Sequence, residues 1–330
     1  MTKICDAVFE GGGMRGIGFV GAAHKFEQMG YTFRRVAGSS AGAIVASLIA
    51  AGYTAEEMRI ELSKVDFNKF KQTSHFHKLG LIGAAIGAAK NFGLYNAEAF
   101  ENWLAGLLAR KNVYTFSDVK GGLKLIASNV TDQKVLVLPN DLANFGIDPN
   151  TFSVAAAVRM SMSIPVFYEP YELIDKDGAV HYIVDGGLLS NYPIWIFDDG
   201  TKKLDVPVFG FRFRKSPGQI RTKKANLISY VRQIVATAIE SGDDDIQTVM
   251  RGDPQRTVFI GIDVGSTKVG ITDFHLPSDI VQGMYDNGVK AADHFLKNWD
   301  FKKWQHEYRY NPNSLYQRFK KFRGQGGLVP

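Results

Sequence analysis

Short apolar runs alternate along this chain with longer stretches whose apolar residues recur every three to four positions. That is the pattern of strands alternating with amphipathic helices. Residues 4–9 and 33–37 read as strands, and 17–29 and 41–51 as helices. Residues 54–63 open on Thr54 with Glu57 three places on, a capping box that predicts another helix. Asn96 reads as the cap of a helix that carries Phe100, Trp103, Leu104, Leu107 and Leu108 on one face. Residues 123–128 and 134–138 read as two strands joined by a turn, and 151–160 as a helix. Strands follow at 182–184, 206–213 and 256–262. Leu227, Val231, Ile234, Val235 and Ala238 form the apolar stripe of a long helix, and Ser278 caps a last one over 278–296. The alternation predicts an α/β fold, a three-layer α/β/α arrangement with a mostly parallel central sheet covered on both faces. Residues 80–95 fit less well. They are apolar, small and glycine-bearing, and read either as a lid or acyl-channel wall or as a helix buried against the sheet.

Composition narrows the class. At 330 residues, 45% hydrophobic, the chain can bury a large core. No composition break appears before about residue 300. Cys5 is the one cysteine; it lies in an apolar run, reads as core, and fits a reducing compartment. The N-terminus has neither the basic start nor the long apolar stretch of a signal peptide. The longest candidate membrane segment, 81–89, has nine residues, against the roughly 20 needed to span a bilayer. The expectation is a cytoplasmic protein, soluble or associated with a membrane surface.

Charge adds a second segment. Residues 301–330 hold seven basic residues and one acid, which accounts for the whole net charge of +6. Residues 1–300 are therefore a neutral body, and 301–330 a basic tail that interleaves Phe301, Trp304, Tyr308, Tyr310, Tyr316, Phe319 and Phe322. Rings and cations together suit the headgroup layer of anionic membranes. No nucleic-acid motif is present, so that partner is not expected. The closing Gly327-Leu328-Val329-Pro330 resembles an expression-linker remnant.

Three stretches carry candidate chemistry. The first is Gly38-Ser39-Ser40-Ala41-Gly42, a Gly-x-Ser-x-Gly between a strand and a helix, the context of a nucleophile elbow. Side chains at Gly38 or Gly42 would crowd the turn that lifts the Ser40 hydroxyl, and the helix N-terminus behind Ser40 favours developing negative charge. The second is Gly11-Gly12-Gly13-Met14-Arg15-Gly16, which follows a strand and opens a helix. It reads two ways. As a dinucleotide loop it would make the protein an NADP-dependent oxidoreductase, with Arg34 and Arg35 on a 2′-phosphate. As an oxyanion hole its amides would serve Ser40, with Arg15 orienting the loop or facing an anionic headgroup. The third is Asp185-Gly186-Gly187, at the end of a short strand where α/β sheets place their sites. Of the seven histidines, His181 is the best placed to serve Ser40. Two decoys are set aside. Residues 261–268 look like the phosphate loop of sugar kinases and actin-like ATPases but read here as strand and turn, and Asp243, Asp244 and Asp245 read as a solvated helix end.

Taken together, these three motifs closely resemble those of the patatin-like phospholipases. The segment from Arg159 to Pro165, and Asn191-Tyr192-Pro193 after the aspartate, extend the similarity over roughly residues 4–300. The resemblance implies a Ser–Asp dyad without a catalytic histidine. Ser40 would attack a fatty-acyl ester, Asp185 would take its proton, and the amides of Gly12, Gly13 and their neighbours would hold the oxyanion. It implies neither metal nor cofactor, and a membrane phospholipid or other fatty-acyl ester as substrate. A lipid-binding protein of low turnover on the same fold remains the further alternative.

Overall fold

The computed structural model describes residues 2–65, 67–70, 72–73, 92–198, 204–214, 227–241, 253–270 and 276–310. Most of the 80–95 stretch, the Asp243–Asp245 run and the end of the tail therefore lie outside the described residues.

In chain order, β1 (Lys3–Phe9) leads through a 3-10 turn (Gly13–Gly16) into α1 (Ile17–Gln28), then β2 (Tyr31–Ser39), α2 (Ala41–Ala50) and α3 (Ala55–Ser63). The short strands β3 (Gln72–Thr73) and β4 (Gly93–Asn96) precede α4 (Glu98–Ala109). Next come β5 (Gly122–Asn129), β6 (Lys134–Leu138), α5 (Val154–Met162), β7 (Val166–Tyr168), β8 (Tyr171–Ile174) and β9 (Val180–Asp185). The remainder is β10 (Val208–Phe213), α6 (Leu227–Ser241), β11 (Thr257–Ile260), the hairpin of β12 (Asp263–Val264) and β13 (Thr267–Lys268), and α7 (Ser278–Lys297).

The main sheet runs β11-β10-β1-β2-β5-β9-β8, with β6 also on β5. Its first five strands are parallel, whereas β6, β8 and β9 join antiparallel. The fold is thus mixed α/β, with a mainly parallel central sheet flanked by helices. The period of two along β1 assigns the faces. Cys5, Ala7 and Phe9 enter the large core with α1, α2 and α7 residues, while Val8 joins Ala37, Val208, Tyr192, Ile194 and Phe197 on the other side.

Three element edges differ from the sequence reading. The α5 helix starts at Val154, because the Ser153 hydroxyl accepts the Ala156 N–H at 3.2 Å and caps it there. Asn96 accepts the Glu98 N–H at 2.7 Å, yet Ala97 holds the N-cap position of α4. Ser278 is the first residue of α7, behind Pro277. On α6, Ile234 of the apolar stripe stays half exposed. Thr54 and Glu57 form their reciprocal cap.

One detail of register positions the site. β2 occupies one edge of β5 up to the pair Ser39–Ile126, and β9 pairs with β5 from Asp185–Ala127 onward. β6 covers residues 125–129 of β5 and so must lie on the opposite edge from both. A parallel strand and an antiparallel strand therefore meet end to end along one edge of β5. Their last residues stand at successive register steps, with Ser40 following one and Asp185 closing the other.

Candidate active site

Ser40 sits in the turn from β2 to α2 with φ +51°, a left-handed backbone seldom adopted by residues with a side chain. Two glycines permit that turn. A Cβ on Gly38 would fall 2.2 Å from the Gly42 carbonyl, and one on Gly42 would fall 2.3 Å from the Phe9 carbonyl oxygen. The strained turn is pinned from α5: the Ser40 N–H donates to Ser161 Oγ at 2.9 Å, and that hydroxyl donates to the Ile126 carbonyl at 2.6 Å. Ser40 is the N-cap of α2, so the helix's first amides lie behind it.

Asp185 is buried, with 1% of its surface exposed. The same end of α5 holds its backbone, since the Asp185 N–H donates to the Ser163 carbonyl at 2.8 Å. Its Oδ1 accepts the Gly187 N–H at 2.7 Å. Its Oδ2 has no hydrogen-bond partner. The Ser40 hydroxyl lies near enough to favour the carboxylate, but burial outweighs it and the Gly187 amide, and pushes Asp185 up to about 7. The pair is apposed rather than tightly bonded.

The glycine loop is fixed on three sides. Glu10, just before it, accepts from Arg212 Nε at 2.9 Å and from the Phe213 N–H at 2.7 Å. The Gly11 N–H donates to the Asn191 carbonyl at 2.9 Å. Arg15 is buried and its Nε donates to the Val269 carbonyl at 2.7 Å, so it ties the loop to the segment after β13 instead of facing a headgroup. The Arg15 N–H bonds the Gly12 carbonyl. The amides of Gly11 and Arg15 are thereby engaged inside the protein. Gly12, Gly13 and Met14 supply the amides that open the 3-10 turn, before any acceptor within it. A Cβ on Gly12 would collide with the Phe213 ring at 2.3 Å, and Gly13 has φ +54°. Gly16 lies against α2, where a Cβ would sit 3.3 Å from that of Ala41. Met14, Phe70, Phe100, Met162, Ile164 and Tyr168 give the narrow cavity at Ser40 an apolar wall.

Other candidates are placed elsewhere. His181 lies four residues up β9, between Asp132 at 3.0 Å and Asp175 at 3.3 Å, and so does not serve Ser40. Arg34 and Arg35 both pair with the buried Asp6, at 2.8 and 2.6 Å, which removes them as receptors of a 2′-phosphate. Of residues 261–268, Asp263 to Lys268 form the β12–β13 hairpin. Cys5 is core. Among the described residues no His, Cys, Asp and Glu side chains cluster as metal ligands, and no helix is long and apolar enough to cross a membrane. Sequence reasoning missed the roles of Glu10, Ser161 and Ser163. The signal for the serines was present only as the Arg159–Pro165 resemblance, because nothing local to that segment points to residues 120 positions upstream.

The patatin-like phospholipase family model matches residues 7–198. The uncharacterized protein YqhO of Bacillus subtilis (strain 168) is 38% identical over 90% of this chain and 99% of its own length. The cUMP-AMP-activated phospholipase of Escherichia coli is 24% identical over 61% of each chain. The solved structure of VipD from Legionella pneumophila aligns with a TM-score of 0.49 at 17% identity, over 90% of this chain and 67% of that one.

Proposed function

The chain belongs to the patatin-like phospholipase family, whose members are lipid hydrolases, and from that premise we propose a phospholipase A or lysophospholipase that works through a Ser40–Asp185 dyad. The observation that carries the reading is the buried Asp185, its Oδ2 without a partner, beside a serine held in a strained turn. A free aspartate is too weak a base to take a proton from a serine hydroxyl; one raised to about 7 is far closer to what the step requires.

In this reading Asp185 accepts the Ser40 proton as Oγ attacks the ester carbonyl. The carbonyl oxygen becomes an oxyanion beside the amides of Gly12 and Gly13, with Met14 adjoining. The protonated Asp185 then gives its proton to the departing alcohol, leaving an acyl-serine. A water, deprotonated by Asp185, attacks the acyl carbon; Ser40 recovers a proton and the fatty acid leaves. Gly38 and Gly42 shape the elbow, and Gly11, Arg15 and Gly16 position the loop. Residues 1–300 form the catalytic body, and the basic 301–330 segment brings it to a cytoplasmic membrane surface.

Fluorophosphonate labelling of the wild type and Ser40→Ala tests the nucleophile, and p-nitrophenyl ester turnover by Asp185→Asn tests the base. Labelling is expected in the wild type alone, and turnover is expected to fall at least about a thousandfold in both variants, the scale typical of losing a dyad member. Labelling that survives Ser40→Ala would refute the assignment.

A further inference from the structure

Among its described walls, the narrow cavity at Ser40 holds one polar side chain besides the serine, that of Tyr168. The cavity measures only about 40 Å³, so a group bound at Ser40 also lies against Tyr168. Tyr168 closes β7 and is 2% exposed, packed with Ala97, Phe167, Met162 and Ile164. A buried phenol ordinarily finds a hydrogen-bond partner. Among the described residues the Tyr168 hydroxyl has none. Burial, with the Tyr95 phenol nearby, pushes its pKa up, so it keeps its proton and stays a donor.

The backbone that presents it is set at a cost. Val166, which opens β7, has φ +68°, an outlier for a β-branched residue. The N–H groups of Phe167 and Tyr168 both donate to the Ile164 carbonyl, at 3.1 and 2.9 Å. On the other side β4 comes so near that a Cβ on Gly93 would fall 2.5 Å from the Tyr168 carbonyl oxygen. Strain of this kind persists where the surroundings over-determine it, and it gathers at sites that bind or react.

We propose that Tyr168 is a further catalytic residue, whose hydroxyl donates a hydrogen bond to the ester oxygen that departs with the alcohol. The inference rests on the acyl-hydrolase reading above. In that reading the amides of Gly12 and Gly13 serve the carbonyl oxygen, and Asp185 supplies the proton that ends on the alcohol. The bond from Ser40 Oγ to carbon forms, the carbon–oxygen bond to the alcohol breaks, and its electron pair goes to the departing oxygen. Negative charge gathers there until the proton arrives. The Tyr168 phenol steadies that charge and keeps its own proton throughout. A bond that strengthens as charge develops lowers the barrier instead of merely tightening binding.

Tyr168→Phe deletes the hydroxyl and keeps the ring. The test measures kcat/KM of wild type and variant on p-nitrophenyl, phenyl and ethyl octanoate, one acyl group with progressively poorer leaving groups. A hydrogen bond to a charged group is worth about ten- to a hundredfold. The variant is expected to lose about threefold on the p-nitrophenyl ester, whose departing oxygen spreads its charge into the ring, and about thirtyfold or more on the ethyl ester. Its melting temperature is expected to match or exceed that of the wild type, because no protein hydrogen bond is lost. Equal losses on all three esters would overturn the proposal, since they would put the phenol on the carbonyl oxygen or in a structural role. So would an ethyl ester cleaved as fast as by the wild type, or a lowered melting temperature. Either result in a wild type that cleaves the esters refutes this role alone. A wild type that cleaves none of the three refutes the hydrolase reading and this role with it.

Discussion

In the proposed dyad, Asp185 couples chemistry to stability. Its folded state binds a proton more tightly than the unfolded chain does, because burial disfavours the carboxylate. Below about pH 4 the group is protonated in both states and costs nothing. As pH rises toward 7 the unfolded state gains from ionising while the folded state does not, so stability falls; above about 7 the full cost is present. A shift from 3.8 to about 7 corresponds to a few kcal/mol. Asp185→Asn is therefore expected to raise the unfolding free energy at pH 8 by roughly 2–4 kcal/mol and to change it little at pH 4, measured by urea unfolding at both values. Under the proposed dyad turnover has the opposite dependence, since Asp185 must be ionised to act as base. The wild-type kcat/KM profile is expected to rise with an apparent pKa near 7. A limb near 4 would mean that the carboxylate is far better solvated than its burial implies. Asp185 was legible as a strand end before two glycines; its depth, which sets its basicity, was not.

At the level of elements, the site exists because β2 and β9 approach the same edge of β5 from opposite directions. The alternation of apolar runs disclosed the parallel strands. It did not disclose that β9 enters antiparallel, since a strand's direction is set by pairing with residues distant in the chain. The α5 end then fixes both partners at once, Ser40 through the Ser161 hydroxyl and Asp185 through the Ser163 carbonyl. Ser161→Ala leaves the buried Ser40 N–H without its acceptor, which costs about 1–3 kcal/mol. Because the lost bond orients the proposed nucleophile rather than the substrate, kcat is expected to fall with little change in KM; a change confined to KM would show that Ser161 does not position Ser40. The glycines separate in the same way. Gly42→Ala forces a Cβ against the β1 backbone and is expected to cost about 3 kcal/mol and most of the activity. Gly106, inside α4, has open space around it, and Gly106→Ala is expected to add about 0.5–1 kcal/mol and leave turnover alone. Thermal melts and ester turnover of the two variants make the comparison.

For the whole molecule, the boundary near residue 300 marks a change in charge rather than a break in packing. Trp304 is 3% exposed, its ring lies 5.3 Å from the Arg256 guanidinium, and Gln305 bonds the Leu204 carbonyl at 2.7 Å. Trp304 and Gln305 thus clamp the start of the tail to the body, a contact that composition alone does not reveal because it depends on an arginine about 50 positions earlier. The four basic residues Arg318, Lys320, Lys321 and Arg323 lie beyond this clamp, with no acid among residues 311–330. The two parts of the tail should therefore respond differently to truncation. Ending the chain after residue 300 removes the buried tryptophan and is expected to cost about 3–5 kcal/mol. Ending it after residue 310 keeps Trp304 and Gln305 in place. That shorter loss removes four cations, each worth about 1 kcal/mol near an anionic surface. Sedimentation with phosphatidylserine vesicles is therefore expected to drop sharply, and the difference to shrink as salt screens the wild-type interaction. If the chain ending at residue 310 binds such vesicles as the full chain does at low salt, membrane contact belongs to the body and not to the tail.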